Sequence, residues 1–303
     1  MNIYQQGFRT NILDTIFKVV GQIWLKVTGG YAIYYITTII LVAIAFLMFI
    51  FDGADFDIFG ELMNPENLRD PEELKRIADD LSVVLLTPRF AVVIGVLSII
   101  VLVLVSWSYY FAFLVANQQI TERKSDFNTA FGKSLGTDVF KLLLALILIY
   151  VILLVGSVAA AMTINVSGYI AFLLFVLLFI GIFKLTLIVP AIAVGNLSIS
   201  EAFSFSLKHI TWLRALKLFG ISILATFAFS MAAVIIWVMS LIFAFIPILG
   251  QIVQLAINIM ISGFIMAFTV SALTGLYYRY ADEIEDQEED DIGRHLVPDS
   301  SLS

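Results

Sequence analysis

The sequence predicts an all-α polytopic membrane protein with about six transmembrane helices, accompanied by two or three interfacial amphipathic helices. Three observations carry that expectation. Hydrophobic residues make up 61% of the chain and its mean hydropathy is +1.00, whereas a soluble domain is roughly 45 to 50% apolar. Six stretches reach the ~20 apolar residues needed to cross a hydrocarbon core about 30 Å thick. Lipid offers the backbone no hydrogen-bonding partner, so runs of this length close their bonds internally as helices.

The six spans are expected at residues 30–51, 91–116, 142–162, 168–194, 218–245 and 252–277. Five contain no charged residue, and the fourth contains only Lys184. The first begins too late and is too long for a cleaved signal peptide, so it is expected to remain in the mature protein. The chain then reads as a single transmembrane domain over residues 1–279, with an acidic outer loop at 52–90, followed by an acidic cytoplasmic tail at 280–303.

Orientation follows from lysine and arginine, which are retained on the cytoplasmic side. With the N-terminus inside, the inner segments hold Arg9, Lys18, Lys26, Arg123, Lys124, Lys133, Lys141, Lys208, Arg214, Lys217, Arg279 and Arg294. The outer side holds Arg69, Lys75, Arg76 and Arg89, all in one loop, and the turns around Asn165 and Pro247 hold none. Both termini are expected in the cytoplasm, with the chain in a plasma membrane of the bacterial inner-membrane kind.

The 24 acidic residues avoid every span. Ten lie between Asp52 and Asp80, nine between Asp282 and Asp299, and Asp14, Glu122, Asp126, Asp138 and Glu201 occupy inner connections. Intramembrane proton relays and cation-coupled sites usually place a carboxylate inside a span, and none is available here. In the outer loop, Asp70-Pro71-Glu72-Glu73 has the order of an N-cap, a first-turn proline and acids on the positive end of a helix dipole, predicting a short helix through Leu81 or beyond. The tail from Asp282 to Asp291 reads as solvated or disordered.

Residue types exclude several chemistries. Without cysteine the chain has no disulfide, thiolate metal site or cysteine nucleophile. A net charge of −7 argues against nucleic acid, whose phosphates are met by basic surfaces. His209 and His295 stand in an inner helix and in the tail, so neither a Ser-His-Asp triad nor a paired-histidine metal site can form in the bilayer. A Ser-Lys dyad would have to recruit Lys184, yet serines in spans more often pack or bond to their own helix. No catalytic residue, cofactor or metal is expected.

A repeat is the most informative pattern. Ala130-Phe131-Gly132-Lys133-Ser134-Leu135 precedes the third span and Ala202-Phe203-Ser204-Phe205-Ser206-Leu207 precedes the fifth, so A-F-x-x-S-L recurs before each hydrophobic hairpin. In the later copy Ile199, Phe203, Ser206, Ile210 and Leu213 share one helical face, opposite Glu201, Ser204, Lys208 and Thr211. Phe127, Ala130, Phe131 and Leu135 form the corresponding face of the earlier copy, and Asp126 and Ser198 hold matching N-cap positions. Residues 11–26, with Ile12, Ile16, Val19, Val20 and Ile23 on one face, read as a third and more divergent copy. Three units of amphipathic helix plus two spans then account for nearly the whole chain.

The run Phe183-Lys184-Leu185-Thr186-Leu187-Ile188-Val189-Pro190, continued through Ala191-Ile192-Ala193-Val194, is followed by a helix over residues 198–213 with Glu201-Ala202 and Ser206. This resembles the membrane domain fused to some bacterial glycerophosphoryl diester phosphodiesterases and found in related multi-pass proteins of unknown function. In that family a basic residue, a proline near the end of a span and an E-A-x-x-x-S helix recur in this order. The likeness is best over the last half of the chain. It departs at Gly195-Asn196, where the family commonly has an acidic residue, and no hydrolase domain is appended. The resemblance implies a membrane-domain fold and no activity.

Two sets of residues are candidate contacts. Gly263, Ala267, Ser271 and Gly275 repeat every four residues and leave a stripe without bulk, a helix-packing face for a neighbour in the same chain or in a second copy. Lys184 lies inside the membrane, where a free ammonium costs roughly 2.5 to 3.5 kcal/mol and therefore faces the bundle interior, water, a partner or the headgroups. A buried salt bridge to it would need a carboxylate from an inner connection, such as Asp138 or Glu201; otherwise carbonyls, hydroxyls or lipid phosphate must serve, and Pro190 frees the carbonyl of Thr186 as a polar neighbour. A site gathering anionic lipid or an anionic substrate is the functional expectation for Lys184, with snorkelling to the cytoplasmic headgroups as the structural one. The chain as a whole is expected to be a non-enzymatic integral membrane module acting through contacts with the lipid bilayer, with anionic lipid, or with a second copy or another membrane protein. A transporter or channel for a small or anionic solute is the alternative, supported by the repeat, Lys184, Gln254 and Asn258.

Overall fold

The computed structural model describes residues 3–51, 72, 75–76, 79, 88–163, 167–240 and 249–296, and among them it contains ten long or short helices and no strand. In chain order these are α1 (Ile3–Thr10), α2 (Ile12–Phe51), α3 (Pro88–Glu122), α4 (Phe127–Ser134), α5 (Asp138–Met162), α6 (Gly168–Lys184), α7 (Ile188–Ala193), α8 (Ile199–His209), α9 (Trp212–Ser240) and α10 (Leu249–Leu296). Six helical stretches, in α2, α3, α5, α6 with α7, α9 and α10, are long and apolar enough to cross a membrane. The protein is a multi-pass, all-α membrane protein.

Several element boundaries differ from the sequence expectation for physical reasons. Residues 11–26 are not a separate interfacial helix. They are the first half of α2, a 40-residue helix about 60 Å long, twice the hydrocarbon thickness. Their apolar face of Ile16, Val19, Val20 and Ile23 is buried in protein. The helix that stands alone at the N-terminus is α1, which precedes them. The fourth span is broken: residues 185–187 form a turn, and Pro190 sits in the first turn of α7, where its missing N–H has no intrahelical partner to lose. At the C-terminus, α10 continues through the acidic segment to Leu296, because residues 278–292 contain neither Gly nor Pro and are rich in strong helix formers. The backbone there is helical, which departs from the disordered alternative for this tail.

Of the outer loop, only Glu72, Lys75, Arg76 and Asp79 between residues 52 and 87 are described, and they are helical. Asp70 and Pro71, the turns at Asn165 and Pro247, and the end of the fifth span beyond Ser240 lie outside the described residues.

The chain groups into two compact units, one of Met1–Ala32 with Ser106–Ser303 and one of Ile33–Val105. In the larger unit, α5 packs on α6, α6 on α9, α9 on α10 and α1 on α10, while α7 and α8 lie against each other and α5. Its core gathers Val19, Val20 and Ile23 of α2 with Phe111, Phe113, Val115 and Ile120 of α3, all fully buried. Gly30 is required here, since a Cβ would come within 2.3 Å of the Phe111 ring. Trp107 and Phe111 then meet Phe127 and Phe131 of α4 edge to face, with centroids 5.5 and 5.1 Å apart for Trp107–Phe131 and Phe111–Phe127.

Candidate lipid cleft at Lys184

The two short amphipathic helices are built alike from the residue upward. Each follows a non-glycine residue in the left-handed region, Arg123 (φ 57°) and Asn196 (φ 52°), the two such residues among those described. Each is capped at its first turn. The Asp126 carboxylate accepts the Thr129 N–H at 3.2 Å; Ser198 Oγ accepts the Glu201 N–H at 3.4 Å, and the Ser198 N–H donates to Glu201 Oε2 at 2.8 Å, completing a capping box. These bonds hold both carboxyls below the usual range: the Thr129 hydroxyl and N–H act on Asp126, and Ser198 acts on Glu201. Ahead of α4, Lys26 Nζ donates to Ser125 O and Oγ at 2.6 and 2.7 Å and pins the turn.

Within A-F-x-x-S-L the alanine and serine are fully buried in both copies, the phenylalanine is half-buried and the leucine is exposed. Each serine reaches the preceding long helix. Ser134 Oγ accepts the Trp107 indole N–H at 2.9 Å and donates to Phe131 O at 2.7 Å. Ser206 Oγ donates to Lys184 O at 2.6 Å and accepts the Leu187 N–H at 3.2 Å. Ser206 therefore bridges the break between α6 and α7, giving partners to a carbonyl and an amide that the interrupted ladder leaves over.

That bridge fixes Lys184 as the last residue of α6, half-buried, with its Nζ 5.0 Å from the centroid of the Trp212 ring. A cation over an indole face gains on the order of 1 kcal/mol. Gly181, one turn earlier, lies beside the same ring, at a distance where a Cβ would make ordinary contact with Trp212, 3.9 Å away. Neither of these two carboxylates pairs with the ammonium. Asp138 binds Lys141 at 2.7 Å and Glu201 is engaged in its capping box. Among the described residues no side chain forms an ion pair or hydrogen bond with Lys184 Nζ.

Lys184 closes one end of a cleft of about 620 Å³. Ile152, Leu153, Gly156, Ala159 and Ala160 of α5 form one wall and Leu174, Leu177, Leu178, Gly181 and Ile182 of α6 the other, with Phe203, Leu207 and Trp212 at the lysine end. Small residues on α5 make the space, and Gly156 lies so close to Leu178 that a Cβ would meet it at 2.5 Å. Among the described lining residues Lys184 is the only charged one, and none of them is a Ser, Thr, His, Asp or Glu that could work with it in acid-base or nucleophilic catalysis. Among the described residues no cluster of histidine or acidic side chains is arranged to hold a metal. The site can take an apolar chain and one negative charge.

The second candidate set lies elsewhere and does not line this cleft. Gly263, Ala267, Ser271 and Gly275 are all buried within the chain. A Cβ on Gly263 would meet the backbone of Thr28 at 2.7 Å, and one on Gly275 would meet the Phe8 ring at 2.2 Å. The stripe is the face on which α1 and α2 sit.

Trp212, Ser206 and the small residues at 156, 159 and 160 were not singled out for the lysine site from sequence. An aromatic residue flanked by Lys208, Arg214 and Lys217 was the available signal for the first, because Trp marks the membrane-water interface. The contact itself joins positions far apart in sequence and needs the fold. Comparison with known proteins adds no relative: no family model, no curated protein and no solved structure matches the chain.

Proposed function

We propose that this protein is a non-enzymatic membrane module that works by holding lipid, seated in a bacterial inner membrane with both termini in the cytoplasm. One observation carries the reading: an apolar cleft between two spans ends at an ammonium that no side chain among the described residues neutralises. A transporter would need a polar path through its spans, and the cleft beyond Lys184 is walled by aliphatic residues. The resemblance to the phosphodiesterase-associated membrane domain agrees with a module that carries no chemistry of its own.

The architecture we infer is a triplicated unit of short amphipathic helix plus two spans. The matched caps, burial and serine bonds of α4 and α8 support it. So does the junction of α1 and α2, where Gly7-Phe8-Arg9-Thr10-Asn11-Ile12 repeats the small-F-x-x-polar-aliphatic order from the end of α1 to the first residue of α2, a better third copy than residues 11–26.

Native mass spectrometry of the full chain extracted from its membrane tests the function: retained lipid adducts are expected, and an adduct-free protein would overturn the reading. Orientation has a separate test. In this cysteine-free chain, single cysteines at Asn64 and Ser300 should label from opposite faces of sealed vesicles, and labelling of both from one face would refute the six-span arrangement.

A further inference from the structure

We infer that the Lys184 cleft seats one acyl chain of an anionic glycerophospholipid, with the lipid phosphate on the Lys184 ammonium beside Trp212. This rests on the lipid-holding reading above and names its ligand.

Three features select that class. The first is shape: from Leu174 to Lys184 the α6 wall runs ten residues, about 15 Å, and every side chain along it before the lysine is apolar. A hydrocarbon chain gains from that surface, while a small hydrophilic anion does not. The second is charge. An ammonium has three donors and no acceptor, and this one has an indole on one side and, among the described residues, no carboxylate. A zwitterionic lipid would bring its own cation to a place that already has one; an anionic lipid brings only the missing charge.

The third feature separates a lipid phosphate from a free one. Isolated phosphates are usually held by several backbone N–H groups, and here these are used. Leu185, Thr186 and Ile188 donate to Ile182, Phe183 and Leu185 carbonyls, and Leu187 donates to Ser206 Oγ. A phosphate at Lys184 meets one ammonium alone, so the chain in the cleft must supply the rest of the affinity. Depth agrees with this placement: Trp212 is 56% exposed, and Lys208, Arg214 and Lys217 flank it in sequence, the combination found where spans leave the hydrocarbon for anionic headgroups.

The test uses full-length protein in nanodiscs of equal phosphatidylglycerol and phosphatidylcholine with identical acyl chains, released for native mass spectrometry. Wild type is expected to retain phosphatidylglycerol about fivefold over phosphatidylcholine, the size expected of one lysine near an anionic surface. Lys184→Met should abolish the preference and Lys184→Arg should restore it. Leu177→Trp, which fills the cleft from a partly exposed position, should lower retention of both lipids. Glycerol 3-phosphate at millimolar concentration should displace nothing; displacement would show a free-phosphate site and overturn the inference. Equal retention by wild type and Lys184→Met, with loss in Leu177→Trp, would leave the lipid module standing and refute the anionic headgroup. Retention unchanged in every variant would refute both.

Discussion

Within the larger unit, two sets of equally apolar side chains meet opposite fates. Phe111, Phe113 and Val115 of α3 are 0% exposed, whereas Phe172 and Leu173 of α6 are 70% and 58% exposed. The most apolar stretch of α9 has none of its residues buried in the protein. Hydropathy selects both sets alike, and only packing separates them. The first set is a protein core that tolerates no loss of volume; the second is solvated by acyl chains, which are as apolar as leucine, so that its side chains gain little by touching protein.

The sharpest way to break this comparison is a pair of truncations. Phe111→Ala should cost about 3 to 5 kcal/mol, the range for a buried aromatic, while Phe172→Ala should leave stability in a bilayer nearly unchanged. Reversible unfolding in bicelles measures both, and equal losses would refute the division. Next in size is the stripe on α10. Gly263→Leu forces a side chain against the Thr28 backbone and should cost about 1 to 3 kcal/mol; a variant that keeps its stability but loses a dimer on size exclusion would instead make the stripe an interface between copies.

Ser206→Ala leaves the Lys184 carbonyl and the Leu187 amide without their partner and should cost about 1 to 3 kcal/mol, with faster amide exchange at residues 185–188 and not at α9. Ser134→Ala should act on Trp107 instead and quench or shift its fluorescence, so the two serines separate by readout. Smallest is the pH effect at the caps. Asp126 and Glu201 have depressed folded values, so their contribution is present above the ordinary carboxylate range of about 4 and is lost as pH falls below it. Fraying of α4 and α8, followed by amide exchange, should begin below about pH 4; Glu201→Gln should remove the α8 part of that pH dependence.

Much of the fold was legible because charge-free runs of span length admit few structures. The spans at 91–116 and 142–162 were found inside α3 and α5 for that reason. Helix ends were less legible. Residues 12–29 continue a span as a protein-packed helix, and hydropathy falls there although the backbone does not change. The break at 185–187 is hidden in Leu-Thr-Leu, with Pro190 as its only punctuation. Of the site, Lys184 was legible as the one charge in any span; Trp212 over it was not, since the contact depends on α8 folding back across the end of α6.

The seating of α1 also constrains the order in which this protein can be made. Phe8 fills the space left by Gly275, and nearly the whole chain separates the two. A ribosome delivers α1 first, and its partner surface leaves the exit tunnel only after five spans have been inserted. Until then Phe8 has nothing of its own chain on α10 to cover it. A product truncated or stalled before α10 therefore lacks the surface against which Phe8 is seated.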